Sequence, residues 1–450
     1  MIPAAWRKGE VAVVGLGKSG QAACALLRRC GLRVYASDVA DAPAVRQTAA
    51  RLAALGCAVQ TGGHDSELIE CCSLEVLSPG VPPDAPPVAA AHHRGVPVVA
   101  ELDLGARFLV GTKLIVVTGT NGKTTTAALI GHLLDATGLG PKEAAGNIGL
   151  PLCTVAQRAE HPAWLSVEAS SFQLHDCPSL APAVGVLTNL APDHLDRYPS
   201  VDDYYADKKL MYRNASAASR WVTNGDDRLA LEMAAGAGGG GEHERFSLDI
   251  RQAEGFYDRA AGWLVLRGIP LLRRSDLGLL GDHNVANALA AVLAMPREAD
   301  RDHIVNALRT FRALPHRLET IREVGGVLWI NDSKATNISS TLVALQSMER
   351  PAVVLLGGRH KGEPYAGLGP HLAKARAVIA FGEAGPIVEQ DLKGKVPLER
   401  GGDFADVMAR ASKLAQPGDA VLLSPACSSY DMFDNYEHRG RTFREMVEAM

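Results

Sequence analysis

The sequence has no C-x-x-C pair, no apolar run as long as a membrane span, and no strong excess of either charge. Its eight cysteines are scattered singly, apart from the adjacent Cys71 and Cys72. Such spacing argues against a zinc site and a disulfide framework, and it fits a reduced, cytoplasmic protein. A net charge of -4, from 46 basic and 50 acidic residues, argues against a general nucleic-acid or membrane binder. Any anionic ligand must then be held by donors placed locally. The opening "MIPAAWRKGEVAVVGLG" lacks the long apolar run and small-residue cleavage site of a secretory leader.

What is present is room for two or three domains: 450 residues, 47% of them apolar. Strand and helix patterns alternate along most of the chain, which predicts α/β architecture. "EVAVVGLG", "RVYASD" and "LEVLSPGV" read as strands of a first, Rossmann-like domain over residues 1–101, with "VPPDAPP" and "RGVPVVAEL" as connecting segments. A central domain with a mixed or parallel sheet is expected over 102–313. It starts at "KLIVVTGT" and carries a glycine-rich surface excursion at "AAGAGGGGEHE". A third, again Rossmann-like, domain over 314–450 follows from "VLWIND", "PAVVLLGG", "AVIAFG" and "AVLLSPA". Ligands of open α/β sheets gather at the C-terminal ends of strands, so chemistry is expected there.

Two glycine-rich loops stand out. In "VVGLGKSGQ", Gly15, Gly17 and Gly20 fit the dinucleotide fingerprint G-x-G-x-x-G, and Asp38 follows where a ribose contact is expected. Taken alone, this suggests an NAD enzyme. In "VTGTNGKTTT", a strand runs into Gly119, Thr120, Asn121, Gly122, Lys123, Thr124 and Thr125 and then into a helix. Backbone amides of such a loop cradle phosphate, Lys123 reaches the β- and γ-phosphates, and the Thr124 hydroxyl serves Mg²⁺. The strict Walker spacing fails because Val117 stands where its first glycine should be. Glu168 in "SVEASSFQL", and Asp193 with His194 in "LTNLAPDHLDRY", end two further apolar strands. They are candidate ligands of Mg²⁺ or water near a triphosphate.

The segments "GTNGKTTT", "GNIGLPL", "EASSFQL", "DHLDRY", "GDHNVANALAA", "LPHRLE", "NDSKATN", "LLGGRHKG" and "SPACSSYDMFDNYEHRGRTF" occur in this order. Together with "GLGKSG" and "LSPGV", they resemble the ATP-dependent Mur ligases of peptidoglycan synthesis over essentially the whole chain. "DSKATN" with "SPACSSYDMF" looks most like the branch that adds D-glutamate to UDP-N-acetylmuramoyl-L-alanine, and the D-N-P-R motif of the diaminopimelate or lysine branch is missing. The resemblance replaces NAD by a UDP-sugar in the first domain, with Gly15, Lys18, Ser19, Asp38 and the Ser78-Pro79-Gly80 turn around the diphosphate. It implies a monomer whose substrates are ATP, D-glutamate and the UDP-sugar, with two Mg²⁺ ions.

By the same resemblance, the substrate carboxylate attacks the γ-phosphate of ATP, and the amine of D-glutamate then attacks the acyl phosphate. Lys123 and Thr124 serve ATP and Mg²⁺. Glu168 and His194 bind metal, and His194 with Asn147 lies by the muramoyl substrate. Asn287 approaches the nucleotide, while Arg317 and Asp332 close over it from the third domain, with His316 beside Arg317. Lys334 lies beside the transferred charge. Thr336, Lys361, Ser429 and the backbone of Tyr430 are placed for the carboxylates of D-glutamate, with Tyr436, where relatives often carry Phe, nearby. The family also has a CO₂-carbamylated lysine in a Y-x-x-A-K segment. Counting from Arg197 points to Lys208 in "YYADKKLMY", and a shift of one gives Lys209. Cys427 is expected to be a core residue, since no activating base accompanies it. Competing readings are another Mur ligase or a folylpolyglutamate synthase, which lacks the leading UDP-binding domain, and an NAD dehydrogenase with a spare ATPase loop.

Overall fold

The structure is a computed structural model that describes residues 3–193, 197–237 and 240–450. The chain forms two compact units: residues 1–276 with 286–309, and residues 277–285 with 310–450. The first unit carries two sheets and the second unit one.

The first sheet holds β1 (Val11–Val14), β2 (Val34–Asp38), β3 (Ala58–Thr61), β4 (Leu74–Leu77) and β5 (Val98–Ala100) in the order β3-β2-β1-β4-β5. All four pairings are parallel. Val11, Ala12, Val13 and Val14 are all buried because helices cover both faces, as a parallel sheet requires. The register brings the C-terminal ends of β1, β2 and β4 to one edge, where the glycine loop, Asp38 and the Ser78 turn meet. Two segments expected to be connections are regular. The "APP" proline pair opens a helix at Pro86–Arg94, where a missing amide costs nothing, and "VVA" is the edge strand β5.

The second sheet runs β14-β13-β12-β11-β10-β9-β6-β8-β7. Its strands are β6 (Lys113–Thr118), β7 (Ala145–Gly146), β8 (Trp164–Glu168), β9 (Val184–Leu187), β10 (Arg220–Asn224), β11 (Glu242–Ser247), β12 (Gly255–Asp258), β13 (Trp263–Leu266) and β14 (Ile269–Arg273). Pairing is parallel from β7 to β12 and antiparallel over the last two hairpins, so the sheet is mixed. The glycine-rich excursion is shorter than its composition suggested. Its end, Glu242-His243-Glu244, already pairs with β10. Glu244 there is buried beneath Arg220, Arg267 and Arg297, and Arg220 also caps the carbonyls of Leu293 and Met295.

The third sheet, in the second unit, runs β15-β16-β20-β17-β18-β19. It consists of β15 (Glu319–Val324), β16 (Val327–Asn331), β17 (Ala352–Gly357), β18 (Ala375–Phe381), β19 (Leu398–Arg400) and β20 (Ala420–Leu423). Only β15 is antiparallel. Alternate residues feed two cores, one around Val354, Leu356 and Leu422 and the other around Val353, Leu355 and Leu423. Trp329 lies in the second of these against Phe443. Among the described residues, no helix is long and apolar enough to cross a membrane.

Candidate active site

The first loop is built by glycine geometry. Gly15 has φ 88°, and a Cβ at Gly20 would stand 1.8 Å from the carbonyl oxygen of Gly15, so the helix Lys18–Arg29 approaches β1 only because Gly20 has no side chain. The N-terminus of that helix has no side-chain cap, which leaves its amides to a ligand. The Ser78 hydroxyl donates to the Gly15 carbonyl and locks the "SPG" turn against the loop. Gly15, Lys18, Ser19, Asp38 and Gly80 all line one cavity of about 740 Å³. Asp38 faces that cavity already engaged: Oδ2 accepts from the Leu16 amide at 2.8 Å and Oδ1 from the Ala40 amide at 2.9 Å. His64, which sequence reasoning did not single out, lines the same cavity. Its Nδ1 lies 2.8 Å from the Ser37 hydroxyl, and burial holds its pKa below the usual imidazole value against the pull of Asp38.

A second cavity of about 310 Å³ shares Ser78, Pro79 and Val81 with the first. Phe172 and Tyr198 stack in its wall at 5.1 Å, and Asp207 accepts from the Tyr198 hydroxyl and pairs with His175.

The second loop follows β6 and opens the helix Lys123–Ala136. Gly119 has φ 141° and Gly122 φ 81°; a Cβ at Gly119 would stand 2.0 Å from Thr188 Oγ1, and one at Gly122 2.4 Å from Asn287 Oδ1. Asn287 also accepts from Thr126, so it packs directly against the loop. The loop is held from beneath: the Asn121 amide donates to Asn189 and the Thr188 hydroxyl to the Asn121 carbonyl. The Thr120 hydroxyl bonds the Ala191 carbonyl. Lys123 Nζ folds back onto the Thr120 carbonyl at 2.8 Å, and Thr124 and Thr125 are half-buried in the first helical turn.

Glu168, at the end of β8, is 1% exposed. Its Oε1 accepts from Asn147 Nδ2 at 2.7 Å, while Oε2 is buried with no hydrogen-bond partner among the described residues. Such an orphaned oxygen is costly unless a cation occupies it, and the site suits a hard one. Lys208, in the helix Val201–Lys209, is also 1% exposed. Its Nζ lies 2.7 Å from the Gly119 carbonyl and 4.4 Å from the centre of the Tyr204 ring. Burial, with Lys123 adding to it, holds Lys208 well below the ordinary ammonium pKa, although Asp193, Asp207 and Glu168 oppose the shift. Lys209 is exposed. His194 lies outside the described residues.

In the second unit the ends of β16, β17 and β20 converge. The Asp332 carboxylate accepts from the Leu318 amide and the Ser424 hydroxyl, and burial pushes its pKa up to about 7. Arg317 follows His316, which sits at φ 65° with its Nδ1 against Asn331. Lys334 Nζ reaches the Tyr436 hydroxyl at 3.0 Å and lies 4.4 Å over its ring. Lys361 Nζ and Thr336 Oγ1 are 3.5 Å apart, which brings those two together. Ser429 is buried, its carbonyl accepting from Met432 and Phe433, while Tyr430 is exposed. Cys427 is buried against the Tyr365 hydroxyl, and burial raises its pKa, as befits a core residue.

Arg439 organises this convergence, and nothing in "EHRGRTF" announced it. It is fully buried, and its guanidinium donates to Ser333 Oγ and to the carbonyls of Ser333, Cys427 and Ser428. It also flanks Gly358, where a Cβ would stand 3.1 Å from Nη1. One cation thus ties the loops after β16 and β20 and lies against the one after β17, and burial lowers its pKa to about 10.

Two phosphate-type loops at strand ends, each with a helix behind it, and a third sheet with a polar strand-end cluster define a multidomain α/β nucleotide-binding enzyme. Family models match along the chain: "Mur ligase MurD-like, N-terminal domain" over residues 9–100, "Mur ligase middle domain" over 117–295, and "Mur ligase, glutamate ligase domain" over 316–427. The UDP-N-acetylmuramoylalanine--D-glutamate ligase of Salinibacter ruber is 40% identical over 100% of both chains. That of Acidobacterium capsulatum is 39% identical over 98% of this chain and 96% of its own. The chain belongs to the Mur ligase family. Solved structures share the fold: UDP-N-acetylmuramate-alanine ligase MurC of Thermotoga maritima superposes with a TM-score of 0.63 at 20% identity, over 98% of this chain and 99% of that one. MurF of Acinetobacter baumannii gives 0.61 at 18%, over 97% and 93%.

Proposed function

We propose that this protein is an ATP-dependent ligase that joins the amine of D-glutamate to the alanine carboxylate of UDP-N-acetylmuramoyl-L-alanine. It works as a cytoplasmic monomer in peptidoglycan synthesis, with residues 1–101, 102–313 and 314–450 dividing the work. A carboxylate does not yield its oxygen to an amine near neutral pH, so the carboxylate first takes the γ-phosphoryl of ATP, and the amine then displaces phosphate. The protein's part is positioning and charge neutralisation. Holding the reactants in line is worth roughly 7–11 kcal/mol.

The amides of Gly119 to Thr125 and the Lys123 ammonium cradle the triphosphate, with Asn287 behind them. Thr124 and the unpartnered Oε2 of Glu168 are the groups that would hold Mg²⁺, which screens phosphate charge when bound. Gly15, Lys18, Ser19 and Gly80 hold the uridine diphosphate in the cavity that Asp38 also lines, and Asn147 the muramoyl group. Thr336, Lys361, Ser429, the Tyr430 backbone and Tyr436 hold D-glutamate, and Lys334 supplies positive charge near them. Arg317 and Asp332 serve the nucleotide.

The observation that carries this reading is the buried, charge-depressed Lys208 beside the phosphate loop. Only a neutral amine adds CO₂, and Lys208 is the buried lysine of the pair, with burial holding its pKa well below the ordinary ammonium value. As a carbamate it becomes an anion able to hold a second Mg²⁺ with His194. Two measurements test the reading. Phosphate release from ATP with UDP-N-acetylmuramoyl-L-alanine should require D-glutamate and fail with L-glutamate, D-alanine or L-lysine; turnover with L-lysine alone would overturn the substrate assignment. Lys208→Ala should abolish ligation and regain some activity with added short carboxylates, whereas Lys209→Ala should change activity less than about twofold. Full activity of Lys208→Ala would remove the carbamate.

A further inference from the structure

Asp38 stands where a fingerprint loop conventionally offers a carboxylate to a ribose, yet both of its oxygens already accept backbone amides, Oδ2 that of Leu16 in the loop and Oδ1 that of Ala40 just after β2. Asp38 therefore shapes the loop, and each of its oxygens retains only a second lone pair for a ligand. The adjoining strand end supplies another side chain. After β3 the chain turns through Gly62 at φ 78° and Gly63 at φ 153°, and Gly63 returns its amide to the Asp38 carbonyl. This turn lays His64 beside Asp38 in the wall of the 740 Å³ cavity.

Nδ1 of His64 is turned to the Ser37 hydroxyl. The same Ser37 accepts the Gly15 amide on its carbonyl, so the imidazole and the glycine loop are fixed from one residue. Among the described residues Nε2 has no hydrogen-bond partner. A ring so oriented, half-buried and with one nitrogen unused, is a preformed hydrogen-bonding group. Whichever tautomer Ser37 selects, a sugar hydroxyl satisfies Nε2, because a hydroxyl both donates and accepts.

We infer that His64 is a nucleotide-binding residue whose Nε2 takes a ribose hydroxyl of the UDP moiety, with Asp38 acting as the support of the loop. This rests on the reading of the cavity as a UDP site. The full-length protein is titrated calorimetrically with UDP, 2′-deoxy-UDP and 3′-deoxy-UDP, with ATP as control and melting temperatures to confirm folding. His64→Ala and His64→Asn, which keeps a group at the Nδ1 position only, should each weaken UDP about 5- to 20-fold. One deoxy analogue should bind wild type and both variants alike, having already lost the hydroxyl in question. His64→Gln, whose amide reaches the Nε2 position, should bind UDP within about threefold of wild type, and ATP binding should not move in any variant. If UDP and both analogues weaken in parallel, or if UDP affinity is unchanged in His64→Ala, the assignment is overturned. If wild type binds no UDP, the reading of the cavity falls with it.

Discussion

Single residues decide the hardest parts of this molecule, and two of them make opposite predictions. Arg439 is a buried cation whose hydrogen bonds all go to neutral oxygens, the Ser333 hydroxyl and three carbonyls. Arg439→Met strands the carbonyls of Ser333, Cys427 and Ser428 without a donor. Urea unfolding followed by circular dichroism should show a loss of about 3 kcal/mol or more. Arg439→Lys should recover only part of that, because a point charge cannot span the two loops as a planar fork does. Glu75 is the reverse case. It lies fully buried in β4, neither oxygen has a hydrogen-bond partner among the described residues, and burial with help from Asp176 pushes it up to about 7. The folded state then binds its proton more tightly than the unfolded chain does, so stability falls as pH rises from about 4.5 to about 7. Glu75→Gln should be more stable than wild type at pH 8, by about 2 kcal/mol. That advantage should vanish below the unfolded value of 4.5, where Glu75 is protonated in the folded and the unfolded chain alike. Equal stability differences at the two pH values would exclude this account.

At the scale of elements, glycines mark where sequence was most legible. The three fingerprint glycines are not equivalent. A Cβ at Gly17 meets nothing within 4 Å at an ordinary φ of -65°, whereas one at Gly20 strikes the Gly15 carbonyl. Gly17→Ala should leave the melting temperature within about 2 °C, and Gly20→Ala should lower it by about 5 °C or more and weaken UDP binding. Gly119→Ala should behave as Gly20→Ala does, through Thr188, and abolish ATP binding. These loops could be read because only glycine fits their backbone. The strand β5 and the helix Pro86–Arg94 could not, since three apolar residues and two prolines carry too little periodicity to outvote a loop reading. In β11 the pattern misled for a different reason: Glu244 is apolar neither in type nor in appearance, and its burial depends on arginines that arrive from β10, from the β13–β14 turn and from Arg297. Arg439 was hidden in the same way. Its helix reads as a charged surface helix, and only tertiary packing reveals which arginine turns inward. His64 was within reach, as a histidine after a strand and two glycines.

At the scale of the whole molecule, order along the chain and order in space part company. The fold class was legible because alternation of strands and helices survives every local exception. The membership of each unit was not, because the segment Leu277–Val285 belongs with residues 310–450 although it precedes the last piece of the first unit. Gly281 and His283 there pack on Ser347. Removing that segment should therefore hurt the second unit: residues 310–450 expressed alone should melt at least several degrees below the same transition in the full chain, as followed by the burial of Trp329.

The interleaving has a consequence for how the protein is made. As the chain leaves the ribosome, the phosphate loop emerges more than 150 residues before Asn287, the side chain that packs against Gly122 and Thr126. Until the helix Asp282–Ala294 is free of the exit tunnel, the second sheet also lacks Leu289 and Leu293, which cover Gly255. Nascent chains arrested after Asp276 should accordingly remain protease-sensitive around the loop and retain no ATP. Chains released past Arg309 should acquire protection in a single step, long before the last strand of the second unit has been translated.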